Sequence, residues 1–135
     1  MDTCLFCEIT AGREHAYKVY DNEWVCCFLD KYPINKGHVL VTSKTHYREF
    51  TDLDEKSLTE VILAAQKIAE GLESVYNCDG ITIMQNNGLF KDVDHYHMHV
   101  FPRYKDDGFS WVEPDNQVDR NEFVEVRRIL KEGLS

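Results

Sequence analysis

The 135 residues carry 15 Lys and Arg against 24 Asp and Glu, a formal net charge of −9, with 43% hydrophobic and 29% charged positions. Such a chain is the size of one domain and can bury about two-thirds of the surface it exposes when unfolded, so it needs no covalent staple. The acidic balance disfavours nucleic acid and anionic membrane as general partners, because long-range repulsion opposes both, but leaves room for a small anion in a local pocket.

Met1-Asp2-Thr3-Cys4 lacks the basic start and apolar core of a secretory signal, and the longest apolar stretches, such as Val25 to Leu29, are too short to span a bilayer. The five cysteines, Cys4, Cys7, Cys26, Cys27 and Cys78, are therefore expected as reduced thiols of a cytoplasmic protein, with Cys26 and Cys27 as small core residues.

In chain order, Tyr17 to Tyr20 and Trp24 to Asp30 read as strands separated by an Asp21-Asn22 turn. A loop through Tyr32 to Gly37 leads to a third strand, His38 to Thr42, rich in β-branched residues. Asp54 to Tyr76 predicts a long helix, since Leu58, Ile62, Ala65, Ala69, Leu72 and Val75 recur at three- and four-residue steps. Asn77-Cys78-Asp79-Gly80 ends it, Ile81 to Gln85 and His95 to Pro102 are two more strands, and Asn121 to Leu134 predicts a closing amphipathic helix with Phe123, Val126, Ile129 and Leu130 on one side. Strands joined by short turns and one long helix argue for a single α+β domain over 1–135 with a mainly antiparallel sheet.

The informative stretch is His95-Tyr96-His97-Met98-His99-Val100-Phe101-Pro102-Arg103. Strand side chains alternate, so His95, His97 and His99 share one face while Tyr96, Met98 and Val100 take the other. Half of the six histidines thus form one row. A merely solvated face would be served equally well by Asp, Lys, Thr or Glu. Imidazole offers more: it ligates metals, and its neutral form is a nucleophile near pH 7 that can split a phosphoryl or nucleotidyl transfer into two steps. Neighbouring imidazoles can donate to phosphate oxygens.

His-φ-His-φ-His-φ-φ, with φ apolar, resembles the signature of the histidine-triad (HIT) family. Leu29-Asp30, Pro33, Gly37-His38-Val39-Leu40-Val41, Ser43-Lys44-Thr45-His46 and Gln85-Asn86-Asn87-Gly88 match that family in order, and the resemblance spans residues 4–103. It implies a HIT-like α+β fold: a five-stranded, mainly antiparallel sheet with a long central helix and a C-terminal helix, commonly in a homodimer. It also implies hydrolysis or transfer at the α-phosphate of dinucleoside polyphosphates, nucleoside phosphoramidates or related nucleotide conjugates. His97 would be the nucleophile, His99 and His38 would flank the phosphate, Asp30 would hold the ribose hydroxyls, and Asn86 would contact the phosphate or bridging group. Taken alone, Asp30 reads better as a strand-end turn residue.

Cys4-Leu5-Phe6-Cys7 is half of a tetrahedral metal site; with only three residues before Cys4, a redox reading of this pair is poor. The resemblance to zinc-bearing members supplies His46 and His95 as the other ligands, giving a closed Cys₂His₂ shell and a structural zinc. His15 has no such company and reads as solvated.

Where many members carry a Gly-Gln segment followed by Ser, Thr or Glu before the triad, this chain has Phe90-Lys91-Asp92-Val93-Asp94, in a loop two residues shorter. Lys91 is expected as a cationic donor to phosphate. Asp92 is a carboxylate that a phosphate repels unless it is protonated or turned away. Asp106 to Trp111 form an acidic-aromatic loop to which the sequence assigns no role. Three functions rank in order: a nucleotidyl hydrolase or transferase, a catalytically weak nucleotide-binding or interaction module, and a purely structural zinc protein. The last leaves Asp30, His38 and His99 unexplained.

Overall fold

The structure, a computed structural model, describes residues 4–135. The chain opens with α1 (Leu5–Thr10), capped by the Cys4 sulfur, which accepts from the Cys7 amide at 3.4 Å. Five strands follow, β1 (Lys18–Asp21), β2 (Val25–Leu29), β3 (Val39–Ser43), β4 (Gly80–Met84) and β5 (His97–Arg103), in one sheet of order β1-β2-β3-β5-β4 with every neighbouring pair antiparallel. The β1–β2 turn closes because Asn22 Oδ1 accepts from the amides of Trp24 (2.7 Å) and Val25 (3.0 Å), an Asx turn that fixes the register.

Helix α2 (Glu55–Tyr76) starts on Asp54, whose carboxylate accepts from the Ser57 amide, and ends on Asn77 in the left-handed conformation. Its buried stripe of Val61, Ala64, Ala65 and Leu72 covers one face of the sheet, against Val25, Cys27, Val39, Val41, Tyr96, Met98 and Val100. The opposite face is covered by α1, where Phe6 and Ile9 pack on Cys26, Phe28 and Leu40. Covering both faces explains why β2 and β3 are near-continuous apolar runs rather than alternating ones. Cys26 and Cys27 are core residues, one on each face.

Two expectations are corrected. The last strand begins at His97, not His95, because the His95 carbonyl is taken by the His97 ring (2.7 Å) and the Tyr96 amide donates to the Tyr47 carbonyl (2.7 Å), which draws the chain off the ladder. The final helix, α3 (Arg120–Leu134), forms on a capping box of Asp119 and Glu122, yet none of its residues is buried. Phe123, Val126, Ile129 and Leu130, expected to close the domain, stay about half or more exposed.

Candidate histidine-triad site

The alternation of β5 holds one residue beyond the strand. Tyr96, Met98 and Val100 enter the core under α2, while the His95 and His97 rings both meet Phe6 of α1, and His97 meets His99 at 5.2 Å between centroids. His38 joins from β3's edge. Since Leu40 pairs with His99, His38 lies one diagonal step away, its ring over Phe101. Gly37 turns the chain into this position with φ +96.

Hydrogen-bond partners assign the ring protons. The carbonyl of His95 can only accept, so His97 Nδ1 carries hydrogen, while its Nε2 faces the Asp92 carboxylate. His38 Nδ1 accepts from the Ile34 amide at 2.9 Å, so its hydrogen is on Nε2, which lies 2.9 Å from His99 Nδ1 and 3.4 Å from Asp30 Oδ2. His99 therefore accepts at Nδ1 and presents Nε2–H as a donor. Burial pushes His38 down to about 4, with His99 adding and Asp30 opposing; burial likewise lowers His99. Neutral, directional imidazoles result.

Asp30 is fixed at the end of β2 by its own amide, which donates to the His38 carbonyl, and by its Oδ1, which accepts from the Tyr32 amide. The strand-end turn and the site position are thus both true of it. A cavity opens beside it between α1 and the sheet, lined by Phe6, Ile9, Tyr17, Phe28 and Leu40, with Asp30 and Asp92 at its rim. The sequence reading missed this wall. Its one signal was Phe6 and Ile9 three residues apart behind a capping cysteine. His15 is exposed, as read from the sequence, and lines the cavity with its ring edge-on to Tyr17 at 4.7 Å.

Asn86 is exposed, two residues past Met84, which pairs with His99, so strand alternation carries it to the histidine side. Lys91 is a correction. Its three ammonium hydrogens go to the Arg48 carbonyl (2.6 Å), Glu49 Oε1 (3.0 Å) and Asp94 Oδ1 (2.7 Å), so it clamps the loop before the triad and has no donor left for a phosphate. Asp92 on that loop stands 3.2 Å from His97 Nε2. The 106–111 loop is held by Asp107, whose carboxylate takes the Arg103 guanidinium at 2.6 and 3.0 Å and the Asn35 amide at 2.9 Å; Arg103 above all keeps it far below the usual carboxylate range.

A second cluster adjoins the first. Cys4 Sγ and Cys7 Sγ lie 3.3 and 3.5 Å from His95 Nδ1, Cys7 Sγ lies 3.2 Å from His46 Nδ1, and all four ligand atoms fall within 4.8 Å of one another. His95 Nε2 donates to the Ser43 carbonyl at 2.7 Å, which turns the bare Nδ1 to the sulfurs. Burial pushes His95 down to about 4, keeping that lone pair free. Asp30, His38 and His99 also gather within such a distance. There the hydrogen sits on the Nε2 of His38 that a metal would need, so the trio is a hydrogen-bond relay.

Buried imidazoles in one row with a relay behind them define a histidine-triad site; the apolar cavity adjoins it through Phe6, Asp30 and Asp92, and His97, His99 and His38 are not among the residues that line it. The HIT domain family's sequence profile matches residues 12–106, and the chain belongs to that family, whose superfamily comprises nucleotide-binding hydrolases and transferases. An uncharacterized HIT-like protein of Saccharolobus solfataricus is 40% identical over 97% of this chain and 97% of its own. Among solved structures, a histidine triad nucleotide-binding protein from Candida albicans superposes with TM-score 0.87 at 27% identity, covering 98% of this chain and 97% of that one. A Zn-bound histidine triad family protein from Mycobacterium smegmatis gives 0.75 at 32% identity, covering 98% and 95%.

Proposed function

We propose that this protein hydrolyses or transfers nucleotidyl groups, with His97 Nε2 attacking the α-phosphorus of a nucleotide conjugate. The observation that carries the reading is the pinning of His97: its Nδ1–H donates to the His95 carbonyl, so Nε2 is the nitrogen left to attack, on the ring edge that faces Asp92, one of the residues lining the cavity. Attack displaces the leaving group and leaves a nucleotidyl-histidine, which water or another acceptor then cleaves. His99 Nε2–H and the Asn86 amide donate to the non-bridging oxygens, and His38 holds His99 in the donating tautomer. Asp30 accepts from the ribose hydroxyls, and the base lies against Phe6, Phe28 and Leu40. Dinucleoside polyphosphates and nucleoside phosphoramidates both present such a phosphorus. The name of the Candida albicans relative supports nucleotide binding.

Cys4, Cys7, His46 and His95 would hold a structural zinc. A tetrahedral shell with metal–sulfur and metal–nitrogen bonds of about 2.3 and 2.0 Å separates sulfur from nitrogen by about 3.5 Å, close to the distances present. Four protein ligands leave no open position, so the ion would lock β5 to α1 and the loop after β3. Burial together with Cys4 pushes the Cys7 thiol up to about 11, and a dication would reverse that by taking thiolates. The zinc-bound Mycobacterium smegmatis relative supports the assignment. Such thiolates need a reducing compartment, which favours the cytoplasm. No helix among the described residues is long and apolar enough to cross a membrane. The exposed apolar stripe of α3 supports a homodimer.

The test is mass spectrometry of protein quenched during turnover. A nucleotide-sized adduct on the peptide bearing His97, absent in His97→Ala, is the expected result; ordinary turnover by His97→Ala would overturn the reading.

A further inference from the structure

Outside the triad itself, the contacts that hold His38 converge on one side-chain amide. Residues 31–36 are all exposed except Asn35. The Arg103 carbonyl takes the Asp79 amide on the β4 side, so the Pro102 carbonyl points to the β3 side. Val39 pairs with Val100, and a straight β3 would therefore bring residue 37 opposite Pro102; the left-handed turn at Gly37 takes the chain away instead. Asn35 supplies the donor that the diverted strand withholds. Its Nδ2 gives one hydrogen to the Pro102 carbonyl at 2.8 Å and the other to Asp107 Oδ2 at 2.9 Å, while its backbone carbonyl accepts from the His38 amide at 3.1 Å.

The far end of this link is rigid. Only 6% of the Asp107 side chain is exposed, and besides Asn35 its carboxylate accepts from the Arg103 guanidinium and from the amides of Tyr104 and Phe109, each at 3.1 Å. Arg103 also donates to Thr82 Oγ1 at 3.1 Å and to the Phe109 carbonyl, and lies over the Phe109 ring at 5.0 Å. Phe109 stands edge-on to Phe101 at 5.5 Å, and the Phe101 ring is 4.6 Å from that of His38. The acidic-aromatic loop thus reaches His38 by a polar route through Asn35 and an apolar one through Phe101.

A loop with few buried contacts opens locally at little cost. The tie from the Tyr32 amide to Asp30 holds only the first residues of this one. Without the Asn35 side chain, no buried group in residues 31–36 would keep the Ile34 amide on His38 Nδ1, and that amide is what forces the ring hydrogen onto Nε2. We infer that Asn35 is a positioning residue: by bridging Pro102 and Asp107 it keeps the Ile34 amide in place, and so sets the tautomer of His38 and, through it, that of His99. The consequence for catalysis rests on the nucleotidyl-transfer reading above; the control of the tautomer does not.

The experiment compares the full chain with Asn35→Ala and Asn35→Asp, the second keeping the volume while removing both donors. Long-range proton–nitrogen NMR correlations of the imidazole rings read the tautomers directly. The wild type is expected to carry hydrogen on Nε2 of both His38 and His99, and both variants to lose that single form. Turnover of adenosine 5′-phosphoramidate should fall about tenfold in kcat in each, the scale of a partly misplaced donor. Because the effect passes through His38, Asn35→Ala should change kcat by less than about twofold in a His38→Phe background. Unaltered tautomers in both variants, or a penalty of the same size with and without His38, would overturn the inference. Asn35→Ser, which draws the donor back out of reach, replaces any variant that melts below the assay temperature. A wild type that turns over no nucleotide conjugate sinks the nucleotidyl-transfer reading and leaves the NMR result to decide the role of Asn35.

Discussion

His38 Nε2 lies 2.9 Å from His99 Nδ1, and the far side of the His38 ring is held by the Ile34 amide at 2.9 Å. A backbone hydrogen at Ile34 thus decides, through two imidazoles, that His99 offers a donor at Nε2. Replacing His38 by Phe keeps the ring volume and removes the donor, freeing His99 to adopt the wrong tautomer. We expect kcat on a nucleotide conjugate to fall by about 100-fold, the scale of losing one phosphate-facing donor. A kcat within twofold of wild type would remove His38 from the relay.

The same ring makes stability pH-dependent. Burial, reinforced by His99, holds His38 near 4 in the folded protein, below the usual value of 6.5. Below pH 6.5 the unfolded chain binds a proton that the folded chain refuses, so stability is complete above that value and declines as pH falls towards 4. One such group sets a slope of at most about 1.4 kcal/mol per pH unit. Urea unfolding midpoints between pH 7.5 and 4.5 should fall in wild type and less in His38→Phe; parallel curves would contradict this.

Gly37 is predicted to tolerate no side chain. Its φ is +96, and a Cβ there would stand 2.7 Å from Tyr76 Cε2 and 3.2 Å from Leu72 Cδ2. Left-handed strain and crowding against α2 together give Gly37→Ala an expected loss of about 2–4 kcal/mol. Activity should fall as well, because His38 is the next residue. Calorimetry showing an unchanged melting temperature would refute the close approach.

Elemental analysis should return one zinc per chain, and Cys7→Ser or prolonged chelation should remove it. Loss of the shell frees α1 and the start of β5 together, so the melting temperature falls by about 4 °C for each kcal/mol lost. Retention of one tightly held zinc by a Cys4→Ser, Cys7→Ser double variant would place the metal elsewhere.

Much of this was legible from residue order. The row of imidazoles followed from alternation alone, and the long helix from its apolar stripe, of which Ala65 and Leu72 are buried while Ile62 and Val75 stay exposed. Asp30, His38 and His46 needed resemblance, because no periodicity links residues that meet only through strand order. The role of Lys91 was misread. A lysine near a phosphate site looks like a ligand until Glu49, distant in sequence, is seen to take its charge. Helix α1 escaped notice because six residues are too few to show a period. The exposed side of α3 could not be read at all, since an amphipathic pattern states that a face wants cover without naming what covers it.

His95 faces two ways. Its imidazole turns to the sulfurs of Cys4 and Cys7, while its peptide oxygen grips the ring of His97. One amino acid is thereby the hinge pin between scaffold and chemistry. A rotation of its ring to suit a different cation, or an alkylating agent on either neighbouring thiol, would tilt the His97 imidazole without touching the apolar cavity. On the proposed function, the durability of the reactive geometry is tied to three side chains outside that cavity.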